Sequence, residues 1–164
     1  MSPTAKPVKT NVLRALTAQH IAYETKEYPV DDENFDGMLV AAKTGLDAAM
    51  VYKTLVLNDD KGGHLVCVIP VAQELDLKLV ARSTGHKSVA MLPQKELLPL
   101  TGYIRGGCSP IGMKKQFPTF IDVQAEALER ISVSAGVRGC QVILKVEDLR
   151  QACHGVFAEL AQQT

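Results

Sequence analysis

Val51-Tyr52-Lys53-Thr54-Leu55-Val56-Leu57-Asn58 is the stretch on which the fold turns. It is aliphatic, β-branched and alternating, the pattern of a strand. Asn58-Asp59-Asp60-Lys61-Gly62-Gly63 has the composition of a turn. His64 to Val71 then reads as the hairpin partner.

Working outward, Asp76 can cap a helix running to Thr84, closed by Gly85 in the left-handed conformation. Lys87 to Met91 predicts a short strand, and Pro93 opens a brief helical turn to Leu100. Tyr103 to Phe117 is rich in Gly and Pro and is expected to be loop. Phe120–Val123, Ile131–Ser134 and Cys140–Leu144 read as strands, and Val146–Cys153 as a last helix, with fraying beyond Gln162. Toward the N-terminus, Val8, Val12 and Leu16 repeat every four residues, one stripe of a helix ending near Gln19-His20. Ala22 to Tyr28 reads as a strand stopped by Pro29. A polar loop, Asp31 to Asn34, leads through Phe35 into a helix from Asp36 to Thr44, closed by Gly45. Hairpins mixed with helices, with no linker or repeat between them, predict one α+β domain over residues 1–164. Its sheet is expected to be mixed, largely antiparallel and flanked by helices.

Composition narrows the function. Hydrophobic residues make up 46% of the 164 and charged residues 22%, a globular balance that needs no metal or disulfide staple. Formal net charge is zero, 18 basic residues against 18 acidic. Holding a long nucleic acid unaided calls for a basic excess, so any such contact is expected to be local or shared with a partner protein. The cysteines at 67, 108, 140 and 153 form no Cys-x-x-Cys pair, and no zinc-finger histidine spacing accompanies them. No metal or cofactor is implied. Met1 to Thr10 lacks an apolar h-region, and the longest apolar run, Leu65 to Ala72, is too short to cross a bilayer. A soluble cytoplasmic protein is expected.

Three features carry candidate chemistry. Alternation puts Val51, Lys53, Leu55 and Leu57 on one face of the strand, so a lysine stands on an apolar face. Either it is a functional ammonium, or it reaches water along its aliphatic stem from the strand end. The second is Gly102-Tyr103-Ile104-Arg105-Gly106-Gly107-Cys108-Ser109-Pro110-Ile111-Gly112, which can expose consecutive backbone N–H groups to an anion or oxyanion, or can simply turn. Its Gly107 and Gly112 have P-loop spacing, but Met113-Lys114-Lys115 follows where Lys and then Ser or Thr is needed. The third, Ser132 to Gly139, can present a hydroxyl and amides at a sheet edge or be an ordinary hairpin turn. Cys108 is a conceivable nucleophile without a well-spaced base. No Gly-x-Ser-x-Gly or His-Glu-x-x-His occurs, and His20, His64, His86 and His154 are scattered.

Together these segments resemble the YbaK/EbsC family of aminoacyl-tRNA deacylases, relatives of the editing domain of bacterial prolyl-tRNA synthetases. The resemblance runs through Val51–Leu55, Pro70–Asp76, Gly102-Tyr103 with Gly106–Gly112, Pro118–Asp122, and Val133–Gly136 with Arg138-Gly139. Relatives often carry Gly-Gly at Ala135-Gly136 and Ile at Cys108. Many have an acidic residue within two positions of the Arg-Gly turn, where this chain has Cys140-Gln141.

The resemblance implies hydrolysis of Cys-tRNA(Pro), the product made when a synthetase mistakes cysteine for proline. A binding pocket separates such similar shapes by only about 1–3 kcal/mol per methylene-sized difference, so a second, hydrolytic sieve is the remedy. It assigns the essential lysine to Lys53, acting on the oxyanion or on the terminal adenosine. Gly106, Gly107, Ser109 and Pro110 would form the loop that donates N–H groups to the ester carbonyl. Ser134 and Gly136 would line the opposite wall, and Tyr28, Phe35 and Thr54 would shape the aminoacyl pocket. It further implies attack by the substrate's own thiol, an aminoacyl-tRNA acceptor end as ligand and prolyl-tRNA synthetase as partner. A deacylase for another small amino acid such as alanine, and a non-catalytic module that binds an acceptor end or a synthetase, remain open beside it.

Overall fold

In the computed structural model, which describes residues 10–30 and 37–162, two sheets meet at one strand. That strand is β2 (Tyr52–Asp59), which pairs antiparallel with β3 (His64–Pro70) in the register Tyr52↔Pro70 to Asn58↔His64. The Asp59 carboxylate accepts N–H bonds from Lys61 and Gly63 at 2.8 Å each and closes the turn. The hairpin expected from the sequence is there.

β4 (Val89–Met91) adds to the outer edge of β2 from Leu57 onward. On the far side, β3 pairs parallel with β5 (Thr119–Asp122), and β5 pairs parallel with β8 (Gly155–Ala158), giving the order β4-β2-β3-β5-β8. The second sheet is antiparallel, β1-β7-β6, built from Glu24–Glu27, Cys140–Lys145 and Arg130–Ser134. An isolated parallel bridge, Val51↔Ser132, joins the sheets. The chain is α+β with a mixed, mostly antiparallel strand arrangement. It holds two sheets where the sequence suggested one.

Helices close the faces. α1 (Asn11–Ala18) is capped by Thr10, whose Oγ1 accepts from Leu13 N and donates to Ala135 O at 2.6 Å. Val12 and Leu16 on its inner stripe are buried with Val133, Val142 and Leu144, and with Leu149 of α5 (Val146–Ala152). α3 (Leu77–Thr84) is capped by Asp76 and closed by Gly85 at φ 79°, and packs Val80 against Leu57, Leu65, Cys67 and Ile69. β2 and β3 are thus covered on both faces. α2 (Gly37–Thr44) and α4 (Gln94–Thr101) flank the open edge of β2. None of the described helices is long and apolar enough to cross a membrane.

β8 was not anticipated, because Gly155–Ala158 is too short for a period to show. Its place is set by β5 and by Asp122, whose buried carboxylate accepts from Leu160 N at 3.1 Å and Ala161 N at 2.9 Å. Phe35, the loop before it and the helical turn from Val8 lie outside the described residues.

Candidate active site

Cross-strand partners in an antiparallel pair share a face. Lys53 therefore shares its face with Ile69, and Leu55 and Leu57 share it with Cys67 and Leu65. The aliphatic stem of Lys53 rises at the rim of an apolar cluster, and its Nζ lies 3.8 Å from Glu74 Oε1. Its side chain is 27% exposed and that of Glu74 78%, so the ammonium is not sealed in the core. It stands at the rim with its charge available.

The opposite face of β2 carries Tyr52, Thr54 and Val56. Tyr52 belongs to the largest core cluster, and Val56 packs with Val66, Leu92 and Phe117. Cys108 of the glycine loop packs against both clusters. Between the Val51↔Ser132 bridge and the Leu92 N–H to Val56 O bond (3.1 Å), the outer edge of β2 borders a cavity of about 780 Å³. Lys53, Glu74, Thr54, Arg105, Ser134 and Gln141 supply its polar side chains beside Gln94 and Tyr52.

The loop is held in place from several directions. Tyr103 Oη donates to Ile111 O at 2.5 Å and Tyr103 N–H to Thr101 Oγ1 at 3.0 Å. Arg138 Nε donates to Arg105 O at 2.7 Å, pinning the loop to the β6–β7 turn. A Cβ at Gly107 would stand 3.1 Å from Arg138 N and Val137 C, so only glycine lets these backbones approach so closely.

Lys53, Thr54, Gly106 and Ser134 meet on the cavity wall. Gly107, Ser109, Pro110 and Gly136 are not among the described lining residues. Gly107 N–H is already bonded to Ile104 O at 2.9 Å and so is not open to a substrate carbonyl, contrary to expectation. Ser109 is fully buried, its Oγ accepting from Ile111 N at 3.3 Å. Gly136, at φ 97°, donates its N–H to Ser134 Oγ at 3.1 Å and packs on Val12 and Tyr103. Tyr28 is outside the lining, its N–H bonded to Gly139 O.

Glu74, Arg105 and Gln141 reach the cavity although the sequence reading gave none of them a role in the site. Gln141 is the polar exception in the apolar run of β7, and its Oε1 accepts from Ser132 Oγ at 2.9 Å. Burial pushes the Cys108 thiol up to about 12, so it stays protonated at neutral pH and is a poor nucleophile. Among the described residues no three His, Cys, Asp or Glu side chains cluster as metal ligands.

A strand-borne cation, a glycine loop held by hydrogen bonds and a polar cavity between them make up the candidate site. The chain belongs to the aminoacyl-tRNA editing domain family, which matches residues 38–152. It is 44% identical over 152 residues to EbsC of Enterococcus faecalis, described as a candidate Cys-tRNA(Pro)/Cys-tRNA(Cys) deacylase, covering 93% of each chain. A solved structure of a candidate trans-editing enzyme for prolyl-tRNA synthetase superposes with a TM-score of 0.80 at 20% identity, over 96% of this chain and 100% of that one. Hypothetical protein APE2540 superposes at 0.84 and 20% identity, over 93% and 100%. These two likenesses concern the fold.

Proposed function

We propose that this chain deacylates mischarged Cys-tRNA(Pro), with the substrate's own thiol as nucleophile. The observation that carries the reading is a cavity with a cation and a hydrogen-bonded glycine loop in which, among the described residues, no side chain is paired with a base as a nucleophile. Lys53 stands at its mouth, and the thiol on its wall, Cys108, is held protonated. The relative EbsC, matched over nearly its whole length, supports both the substrate class and a one-domain organisation.

On this reading the acylated end of the tRNA enters beside β2. Lys53 offers positive charge to the carbonyl oxygen as it becomes negative, and Gly106 and Ser134 line the walls around the aminoacyl group. The cysteinyl sulfur attacks its own ester carbonyl. A carbon–sulfur bond forms, the bond to the ribose oxygen breaks, and the thiol proton leaves with that oxygen. Water then opens the cyclic thioester to free cysteine. The protein contributes orientation and charge stabilisation.

Zero formal charge argues that another protein holds the body of the tRNA, and prolyl-tRNA synthetase, the source of the error, is the partner we infer. From that role we infer a cytoplasmic location. The test is deacylation of Cys-tRNA(Pro), Ser-tRNA(Pro), Ala-tRNA(Pro) and Pro-tRNA(Pro) by purified protein. Rapid loss of the cysteinyl ester alone is expected. Equal loss of the seryl ester would remove the thiol mechanism, and loss of the alanyl ester alone would move the specificity.

A further inference from the structure

We infer that Arg105 binds the phosphodiester on the 5′ side of the terminal nucleoside of the tRNA, and so sets how the acylated end enters the cavity. The inference rests on the deacylase reading above. Lys53, Glu74 and Arg105 are the charged side chains among the described lining residues. Lys53 is matched by Glu74 at 3.8 Å. Arg105 is exposed and has no carboxylate within ion-pair distance among the described residues. Its guanidinium donates from Nη1 to Gln94 Oε1 at 3.4 Å, a long contact to an uncharged group. A guanidinium has five N–H donors, so most of its fork is left over.

The backbone holds this residue at the cavity. Gly107 N–H bonds to Ile104 O at 2.9 Å and closes a four-residue turn with Arg105 and Gly106 at its corners. Gly106 has φ 85°, the left-handed value that the third position of one common turn type requires and that glycine takes without strain. Arg138 Nε donates to Arg105 O at 2.7 Å and ties the same corner to the β6–β7 turn. The main chain at Arg105 is therefore tethered, while its charge stays open to solvent.

The chemistry of the substrate identifies the ligand. The ester carbonyl is uncharged until it reacts, the amine is neutral or positive, and the terminal base and ribose are uncharged. The nearest anion is the phosphodiester that joins the terminal nucleoside to the one before it. A guanidinium fork meets two phosphate oxygens at once, with charge-assisted hydrogen bonds. Arg105 on the phosphodiester leaves Lys53 for the carbonyl oxygen, so the two cations of the cavity divide the work. A grip on one phosphate also agrees with zero formal charge, which does not suit a hold along the body of the tRNA.

The test compares wild type, Arg105→Gln and Arg105→Lys on two substrates, Cys-tRNA(Pro) and 3′-O-cysteinyl-adenosine, which has no phosphate. Arg105→Gln is expected to raise KM for Cys-tRNA(Pro) by about 10-fold, the scale of one lost charge-assisted contact, with kcat nearly unchanged. The salt dependence of log KM should become shallower by about 0.7, as for one phosphate contact on a single strand. Arg105→Lys, which keeps the charge, should restore that slope. On cysteinyl-adenosine the glutamine variant should match wild type, which also shows that its site is folded. A wild-type KM or an unchanged salt slope in Arg105→Gln overturns the assignment. So does an equal loss on cysteinyl-adenosine, because the arginine would then act on the aminoacyl group or merely hold the loop. Inactive wild type would sink the deacylase reading itself, whereas active wild type with an unaffected Arg105→Gln sinks only this inference.

Discussion

Lys53 Nζ and Glu74 Oε1 stand 3.8 Å apart at the mouth of the cavity, one side chain 27% exposed and the other 78%. A pair so open to water contributes little to stability, because solvent screens the charges and two long side chains lose freedom in meeting. Glu74 sets where the ammonium waits without neutralising a buried charge. The strand carries the lysine for chemistry, in our reading, and the fold does not depend on it.

Replacing Lys53 with Ala should therefore separate function from folding. Deacylation of Cys-tRNA(Pro) is expected to fall by about 10²–10³-fold. The free energy of unfolding should change by no more than about 0.5 kcal/mol. Steady-state kinetics and a urea titration check the two halves, and a Lys53→Ala protein of normal activity would remove the residue from the site.

Cys108 touches the cavity, and in our reading it is not the nucleophile. Its thiol is pushed to about 12 by burial, so Cys108→Ala should retain the deacylase rate within a few-fold. Mass spectrometry after mild alkylation at pH 7 should find Cys108 largely unmodified in the folded protein. Loss of activity in the alanine variant beyond about 100-fold, the scale of a lost catalytic group, would point to covalent catalysis.

Buried thiols also set an alkaline limit. Burial raises Cys67 and Cys153 to about 12 in the folded chain, against an unfolded value of about 8.5. Below that unfolded value both states are protonated and the groups have no effect. Between it and about 12 only the unfolded chain releases the protons, so stability falls as pH rises. Each thiol should remove about 1–2 kcal/mol by pH 10, and Cys67→Ala or Cys153→Ala should flatten the decline seen in denaturant titrations.

Gly107→Ala tests the close approach of the loop to the β6–β7 turn. The added methyl would stand 3.1 Å from Arg138 N and 3.2 Å from Val137 Cα, and these are backbone atoms that cannot step aside cheaply. A destabilisation of about 1–3 kcal/mol is expected, with a loss of activity because the loop bordering the cavity shifts. Unchanged melting and turnover would show that the loop is looser than this packing implies.

Asp122→Asn probes how the C-terminal strand is held. The carboxylate accepts from Leu160 N and Ala161 N on one oxygen and from Gln124 on the other. An amide group would set an NH2 against those donors on one side or the other, and a loss of about 2–4 kcal/mol in unfolding free energy is expected. Hydrogen exchange should report the opening first at Leu160 and Ala161.

Local chemistry made much of this architecture readable from residues alone. Asp76 followed by Leu77–Thr84 and Gly85 is a helix because the cap, the apolar stripe and the left-handed glycine all act within a dozen residues. The β2–β3 hairpin is equally local, since its turn carboxylate and its apolar runs adjoin in the chain. Lys53 and the glycine loop were legible as oddities, a charge on an apolar face and a stretch unable to form regular structure. What they do together was decided by tertiary contacts. Only folding brings Ser132 to Val51, opens a gap along β2, leaves Thr54 Oγ1 without a partner and turns Gln141 into that gap. It also satisfies Gly107 N–H inside the loop and recruits Gly155–Ala158 as a strand. Capping and period are short-range and are written in neighbouring residues. Strand edges, cavities and unmet hydrogen bonds depend on segments far apart in the chain, and a single sequence does not state which of them will meet.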